Sequence, residues 1–132
     1  MIRESKLAAV ALIYRDGLFG QTILGVTRKD NFQDFGLPGG KIEMGETLYD
    51  GMCREVFEET GLIIELARPI FVREDGEFVA VVFLVEKYSG EINTQEAGQV
   101  KWITFEELKL GSFGEYNSKL EEHLNFIKCL TQ

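Results

Sequence analysis

Glu55, Glu58 and Glu59 stand in the segment REVFEETG, at positions i, i+3 and i+4. On a helix turning about 100° per residue this spacing gathers three carboxylates into one arc of about 100°. A solvated acidic face normally carries Lys or Arg four residues away. Here Glu55 has Gly51 and Glu59 at those positions, and only Glu58 has a cation, Arg54. Two unit charges ~5 Å apart repel by roughly 3 kcal/mol at an effective dielectric of ~20. A divalent cation turns that repulsion into ligation. The ligands would all be carboxylate oxygens, a set that suits a hard ion, Mg2+ with Mn2+ as a substitute. His123, the sole histidine, lies among Glu121, Glu122 and Leu124 in a C-terminal helix and reads as a surface residue. Neither a histidine base nor a His-rich zinc site is available.

The run Gly36-Leu37-Pro38-Gly39-Gly40 precedes this helix. A tight turn needs one or two glycines; three, with Pro38, let the backbone approach the helix closely, so that its carbonyls can join the carboxylates around a cation. The pattern GxxxxGK[ST] is absent, so this is not a P-loop. The net charge of −8 argues against a nucleic-acid coat and looks wrong for direct phosphate binding. A bound cation resolves that contradiction, because it attaches phosphate to carboxylate.

These groups need a scaffold, and 132 residues suffice for one domain with one core. Leu7–Tyr14 and Thr22–Thr27 read as strands, and Asn31–Gly40 as a loop. Thr47–Glu59 reads as a helix, with Thr47 as N-cap, Asp50 only approximating a capping box, and Gly61 as the stop. Its apolar stripe is Leu48, Met52 and Val56. Ile63–Glu74 and Phe78–Tyr88 flank Glu74-Asp75-Gly76 as a hairpin. Gln99–Ile103 reads as a strand, Phe105–Leu110 as a helical turn, and Ser118–Leu130 as an amphipathic helix. This mixture predicts a mixed sheet with helices packed on it. The apolar stretch near the N-terminus is too short for a membrane span and reads as a strand instead of a signal peptide. Cys53 and Cys129 are far apart in sequence, which favours a reduced, cytoplasmic setting.

Gly40, Glu46, Arg54, Glu55, Val56, Glu58, Glu59, Gly61 and Leu62 match every position of G-x5-E-x7-R-E-U-x-E-E-x-G-U, where U is a bulky aliphatic residue. The chain therefore resembles the Nudix hydrolases, with the box at residues 40–62 of one domain spanning 1–132. The resemblance implies an α/β/α sandwich with a mixed sheet, a loop–helix–loop catalytic motif and a C-terminal helix. It implies water attacking phosphorus in a nucleoside diphosphate linked to another moiety. Glu55, Glu58 and Glu59 would hold the divalent ions, with the Gly39 carbonyl as a further ligand. Arg54 and Glu46 would orient those carboxylates. The general base would be Glu55 or, on a loop past the hairpin, Glu96.

Features of ADP-ribose, dinucleoside polyphosphate and coenzyme A members are missing: Glu77 and Val79–Val82 stand near where a Pro or a Tyr would be expected. By elimination and compact length, the chain resembles the small nucleoside-triphosphate members, which give monophosphate and pyrophosphate. Hydrolysis of ADP-ribose, nucleotide-sugar or dinucleoside polyphosphate stays open, as does a non-catalytic nucleotide sensor. Arg28 and Lys29 could meet phosphate or base, or form a solvated strand end. Trp102 reads as core. The expected partner is a small nucleotide, with membrane and nucleic acid disfavoured and a homodimer left open.

Overall fold

A computed structural model describes residues 6–28, 30–93 and 99–130. The elements run β1 (Lys6–Leu12), β2 (Ile23–Arg28), β3 (Asn31–Gly36), β4 (Gly39–Lys41), α1 (Leu48–Thr60), β5 (Ile63–Asp75), β6 (Phe78–Ser89), β7 (Val100–Ile103), α2 (Phe105–Lys109) and α3 (Gly114–Leu130). One sheet has the order β4-β1-β6-β5, the other β3-β2-β7. Strands β1 and β6 pair in parallel, while the other pairings are antiparallel.

The apolar run of β1 is continuous because both of its faces are covered. Ala9, Ala11 and Ile13 point into one core layer, with Val81, Phe83 and Val85 of β6 and Met52 and Val56 of α1. Val10, Leu12 and Tyr14 point into the opposite layer, with Val82, Leu84, Leu108 of α2, and Leu120 and Leu124 of α3. The result is a helix–sheet–helix sandwich, the mixed α/β architecture expected from the sequence. Met52 and Val56 are fully buried, whereas Leu48 at the head of the predicted stripe is half-buried.

Helix α1 is bounded by the predicted caps. The Thr47 hydroxyl accepts the Asp50 N–H at 3.0 Å. Gly61 adopts φ 84° and donates its N–H to the Phe57 carbonyl. A Cβ there would stand 2.8 Å from the carbonyls of Glu91 and Asn93, so this glycine answers both conformation and space. The reciprocal capping box occurs at α2, between Thr104 and Glu107.

Two readings are corrected. The Asn31–Gly40 segment is not a loop: it forms β3 and β4. Strand β3 is exposed over its first half and lacks alternation, and β4 is only three residues, two of them glycine. Main-chain pairing with β2 and β1 holds them, and that leaves no trace in side-chain pattern. The last helix begins at Gly114, four residues before the amphipathic stretch, because its first turn carries Gly114 and Asn117, residues common in turns. Pro69 is accommodated in β5 because that strand is a sheet edge and its register shifts there.

Candidate active site

Strand β4 brings the backbone against α1. Gly39 sits at φ 148°, and a Cβ there would collide with the Ala9 carbonyl of the neighbouring strand. Its N–H donates to Glu59 Oε1 at 2.8 Å. A Cβ on Gly40 would fall 2.8 Å from the carboxyl carbon of Glu55. The two glycines thus form a side-chain-free rim touching two of the three glutamates. One turn earlier, a Cβ added to Gly51 would stand 2.5 Å from Ile42 Cδ1 and 3.0 Å from Glu46 Oε1, so that glycine makes room for both side chains.

Arg54 answers the question of repulsion. Its Nε and Nη2 donate to the two oxygens of Glu46, each at 2.9 Å, in a bidentate fork. Its Nη1 donates to Glu55 Oε1 at 2.9 Å and to Glu58 Oε2 at 3.2 Å. Nη2 also reaches the Lys41 carbonyl at 3.2 Å, and Glu43 lies 3.7 Å from Nη1. One guanidinium therefore bridges acids from both the helix and the loop before it, and leaves the group with a net negative charge. These hydrogen bonds, with the Glu43 N–H, hold the Glu46 carboxyl down at about 2, while Glu46 first and then Glu55 raise Arg54.

Glu55 and Arg54 are largely sheltered, with side chains 19% and 25% exposed, and Glu58 is 41% exposed. Among the described residues no three carboxylate, imidazole or thiol groups converge on one point. In this conformation Arg54 Nη1 lies between Glu55 and Glu58. The donors nonetheless fit a hard divalent ion: three carboxylates on one arc, flanked by the glycine rim.

On the opposite face of the sheet, next to the same rim, lies a cleft of about 330 Å³. Ala8, Val10 and Ala80 form its floor, and Leu37, Phe78 and Phe113 its sides. Lys41 and Arg73 also line it. The Arg73 guanidinium stacks on Phe113, 4.5 Å from the ring centroid, and Lys41 Nζ lies 5.4 Å from that of Phe78. Asp34 of β3 accepts both the backbone N–H, at 2.8 Å, and the hydroxyl of Ser112, fixing the loop that carries Phe113. The Ser112 hydroxyl lowers the Asp34 carboxyl below its ordinary range; burial opposes it, and the Ser112 N–H and the charge of Arg28 add smaller lowering effects. Asn117, buried one turn into α3, has no hydrogen-bond partner for its Oδ1.

The structure thus brings Gly39, Glu46, Arg54, Glu55, Glu58 and Glu59 together. It does not bring Arg28 to them: that side chain stands at the exposed end of β2, paired with Asp30 at 3.3 Å, and does not line the cleft. Lys29 and Glu96 lie outside the described residues. Trp102 packs on the core beside Tyr88, as expected. His123 is not a plain surface residue but half-buried, its ring 5.6 Å from that of Phe71. Sequence reasoning missed Lys41, Arg73, Phe78 and Phe113, because strand registers and a loop assemble the cleft. Ala8 in β1 and Ala80 in β6 were the one available trace of a small-residue floor.

The NUDIX domain family model matches residues 4–124. A MutT-like protein of Streptomyces ambofaciens is 35% identical over 89 residues, 65% of this chain and 57% of that one. The chain thus spans little more than half of that relative's length. An 8-oxo-dGTP diphosphatase of Haemophilus influenzae is 31% identical over 138 residues, covering 94% of this chain and 99% of that protein. Among solved structures, the MutT NUDIX hydrolase of Burkholderia pseudomallei superposes with a TM-score of 0.65 at 33% identity, over 76% of this chain and 84% of the other. A family match across nearly the whole sequence, an intact acidic box and a shared fold converge: the chain belongs to the Nudix hydrolase family.

Proposed function

We propose that the chain is a pyrophosphohydrolase that uses Mg2+, with Mn2+ as a substitute, to convert a (deoxy)nucleoside triphosphate or modified nucleotide into monophosphate and pyrophosphate. The observation that carries this reading is the shared glycine rim. Gly39 and Gly40 separate an acidic helix face from an apolar cleft, with no side chain of their own in the way. A base could rest in the cleft while its phosphates turn over the rim toward Glu55, Glu58 and Glu59. The 8-oxo-dGTP diphosphatase among the relatives favours a triphosphate substrate.

Glu55, Glu58, Glu59 and the Gly39 carbonyl would hold the divalent ions. When bound, these ions supply charge neutralisation of the pyrophosphate and a lowered pKa for the attacking water. Glu46 grips Arg54 through two parallel hydrogen bonds, and Arg54 in turn fixes the carboxylates of Glu55 and Glu58. Glu59 is fixed from the other side by the Gly39 N–H. Glu55, on a helix and sheltered from bulk solvent, is the general base in this reading; it takes the proton from water as the oxygen attacks phosphorus, the P–O bond of the anhydride breaks, and monophosphate and pyrophosphate leave. Free Cys53 and Cys129 are compatible with a reducing cytoplasm. No helix among the described residues is long and apolar enough to cross a membrane.

A panel of nucleoside triphosphates, ADP-ribose, nucleotide sugars and dinucleoside polyphosphates, incubated with Mg2+ and read by mass spectrometry, tests the proposal. Monophosphate and pyrophosphate from a triphosphate are expected. Turnover of ADP-ribose or of a dinucleoside polyphosphate alone would overturn the substrate class, and binding without turnover would point to a sensor.

A further inference from the structure

The strand registers place four cleft residues in one row across the sheet. Lys41 of β4 is opposite Ala8 of β1, Ala8 is opposite Ala80 of β6, and Ala80 is opposite Arg73 of β5. Register partners project to the same face, so the row is a flat strip with a cation at each end and two methyl groups between. Three interstrand steps separate the ends, about 14 Å. β4 and β5 are the two edges of this sheet. The glycine rim lies at the Lys41 end, where the acidic helix face begins. Arg73 lies at the far end.

A nucleotide lying along this strip with its phosphates at the rim points its base toward Arg73. The alanine floor and the walls of Phe78 and Phe113 suit an aromatic ring system. Phe113 and Tyr116, with ring centroids 4.5 and 5.7 Å from the guanidinium carbon, support Arg73. An arginine supported on aromatic rings keeps its N–H donors in a fixed planar fork. That fork matches two adjacent acceptors on a base edge, as in O6 and N7 of guanine or hypoxanthine. Adenine presents an amino donor at position 6, which opposes it.

We propose that Arg73 is the base-discriminating residue of the cleft, selecting 6-oxopurine nucleotides over 6-aminopurine ones. This rests on the nucleotide reading above, and it adds which bases are chosen and by which side chain. The row of registers runs over β4, β1, β6 and β5, and the aromatic support comes from the loop ahead of α3 and from α3 itself, so Arg73 and the rings that support it lie outside the acidic box.

The test compares kcat/KM for dGTP, dITP and dATP, with Mg2+, in the wild type, Arg73→Met and Arg73→Lys. The wild type should favour dGTP and dITP over dATP. Arg73→Met should lower kcat/KM for both by about 5- to 150-fold, mainly through KM, and bring them level with dATP. Arg73→Lys keeps the charge without the fork and should not restore the preference. Equal losses on all three nucleotides, an unchanged ratio, or full restoration by lysine would each overturn the proposal. Binding of dGMP and dAMP by calorimetry separates it from the hydrolytic reading. Arg73-dependent preference for dGMP in a protein that hydrolyses no triphosphate would sustain this inference and sink that reading. Triphosphate turnover with no base preference in either assay would do the reverse.

Discussion

Arg54 organises the acidic site. It donates to three carboxylates and a carbonyl, and its fork with Glu46 is the best-aligned part of the set. Glu46→Gln should weaken that fork and cost about 10- to 100-fold in metal affinity or activity, read as a raised Mg2+ requirement. A pH signature should accompany it. The folded Glu46 carboxyl titrates at about 2, against an ordinary 4.5. A depressed carboxyl contributes stability that is complete above its unfolded pKa and is lost as pH falls through its folded one. Denaturant midpoints should therefore fall more steeply between pH 4.5 and 2 in the wild type than in Glu46→Gln. Parallel profiles would remove Glu46 from the account.

Glu55→Gln should lower kcat by about 10²–10⁴-fold, with no rescue by excess Mg2+. Glu96→Gln should cost about 10-fold, a modest positioning loss. A collapse of the Glu96 variant that added metal cannot restore would exchange the two roles. The i, i+3, i+4 carboxylates and the Arg54–Glu58 pair were legible from helical spacing alone. That spacing could not show Arg54 reaching Glu46 and Glu43, because those contacts depend on how the preceding loop folds back. Nor could it show the Gly39 N–H on Glu59, a contact made by backbone.

At the scale of elements, α1 must be rigid for its glutamates to act together. Met52 and Val56 anchor it with fully buried side chains. Met52→Ala should cost about 2–5 kcal/mol by chemical denaturation, and half-buried Leu48→Ala less. If Leu48→Ala proved the costlier, the helix would be seated on a different face. Gly61→Ala meets both a positive φ and two carbonyls, and should destabilise by more than about 1 kcal/mol. The helix, hairpin and first two strands were legible because apolar periodicity and turn residues mark them. β3 and β4 were not, since their pairing is by main chain and their residues are polar or glycine. The start of α3 was hidden for a related reason: its first turn carries turn-favouring residues instead of an apolar stripe.

Across the whole molecule, the sheet buries both faces in its central strands, while its β4 edge borders the acidic helix on one side and the cleft on the other. Negative net charge and a phosphate substrate are reconciled only if a cation sits at that edge. Turnover of a mixed deoxynucleoside triphosphate pool by metal-stripped protein, followed as Mg2+ is added back, tests this most directly. No turnover in EDTA is predicted, rising to saturation with Mg2+ and lost by orders of magnitude in Glu59→Gln. Full turnover in EDTA, or a Glu59→Gln protein with the wild-type rate and Mg2+ dependence, would contradict it.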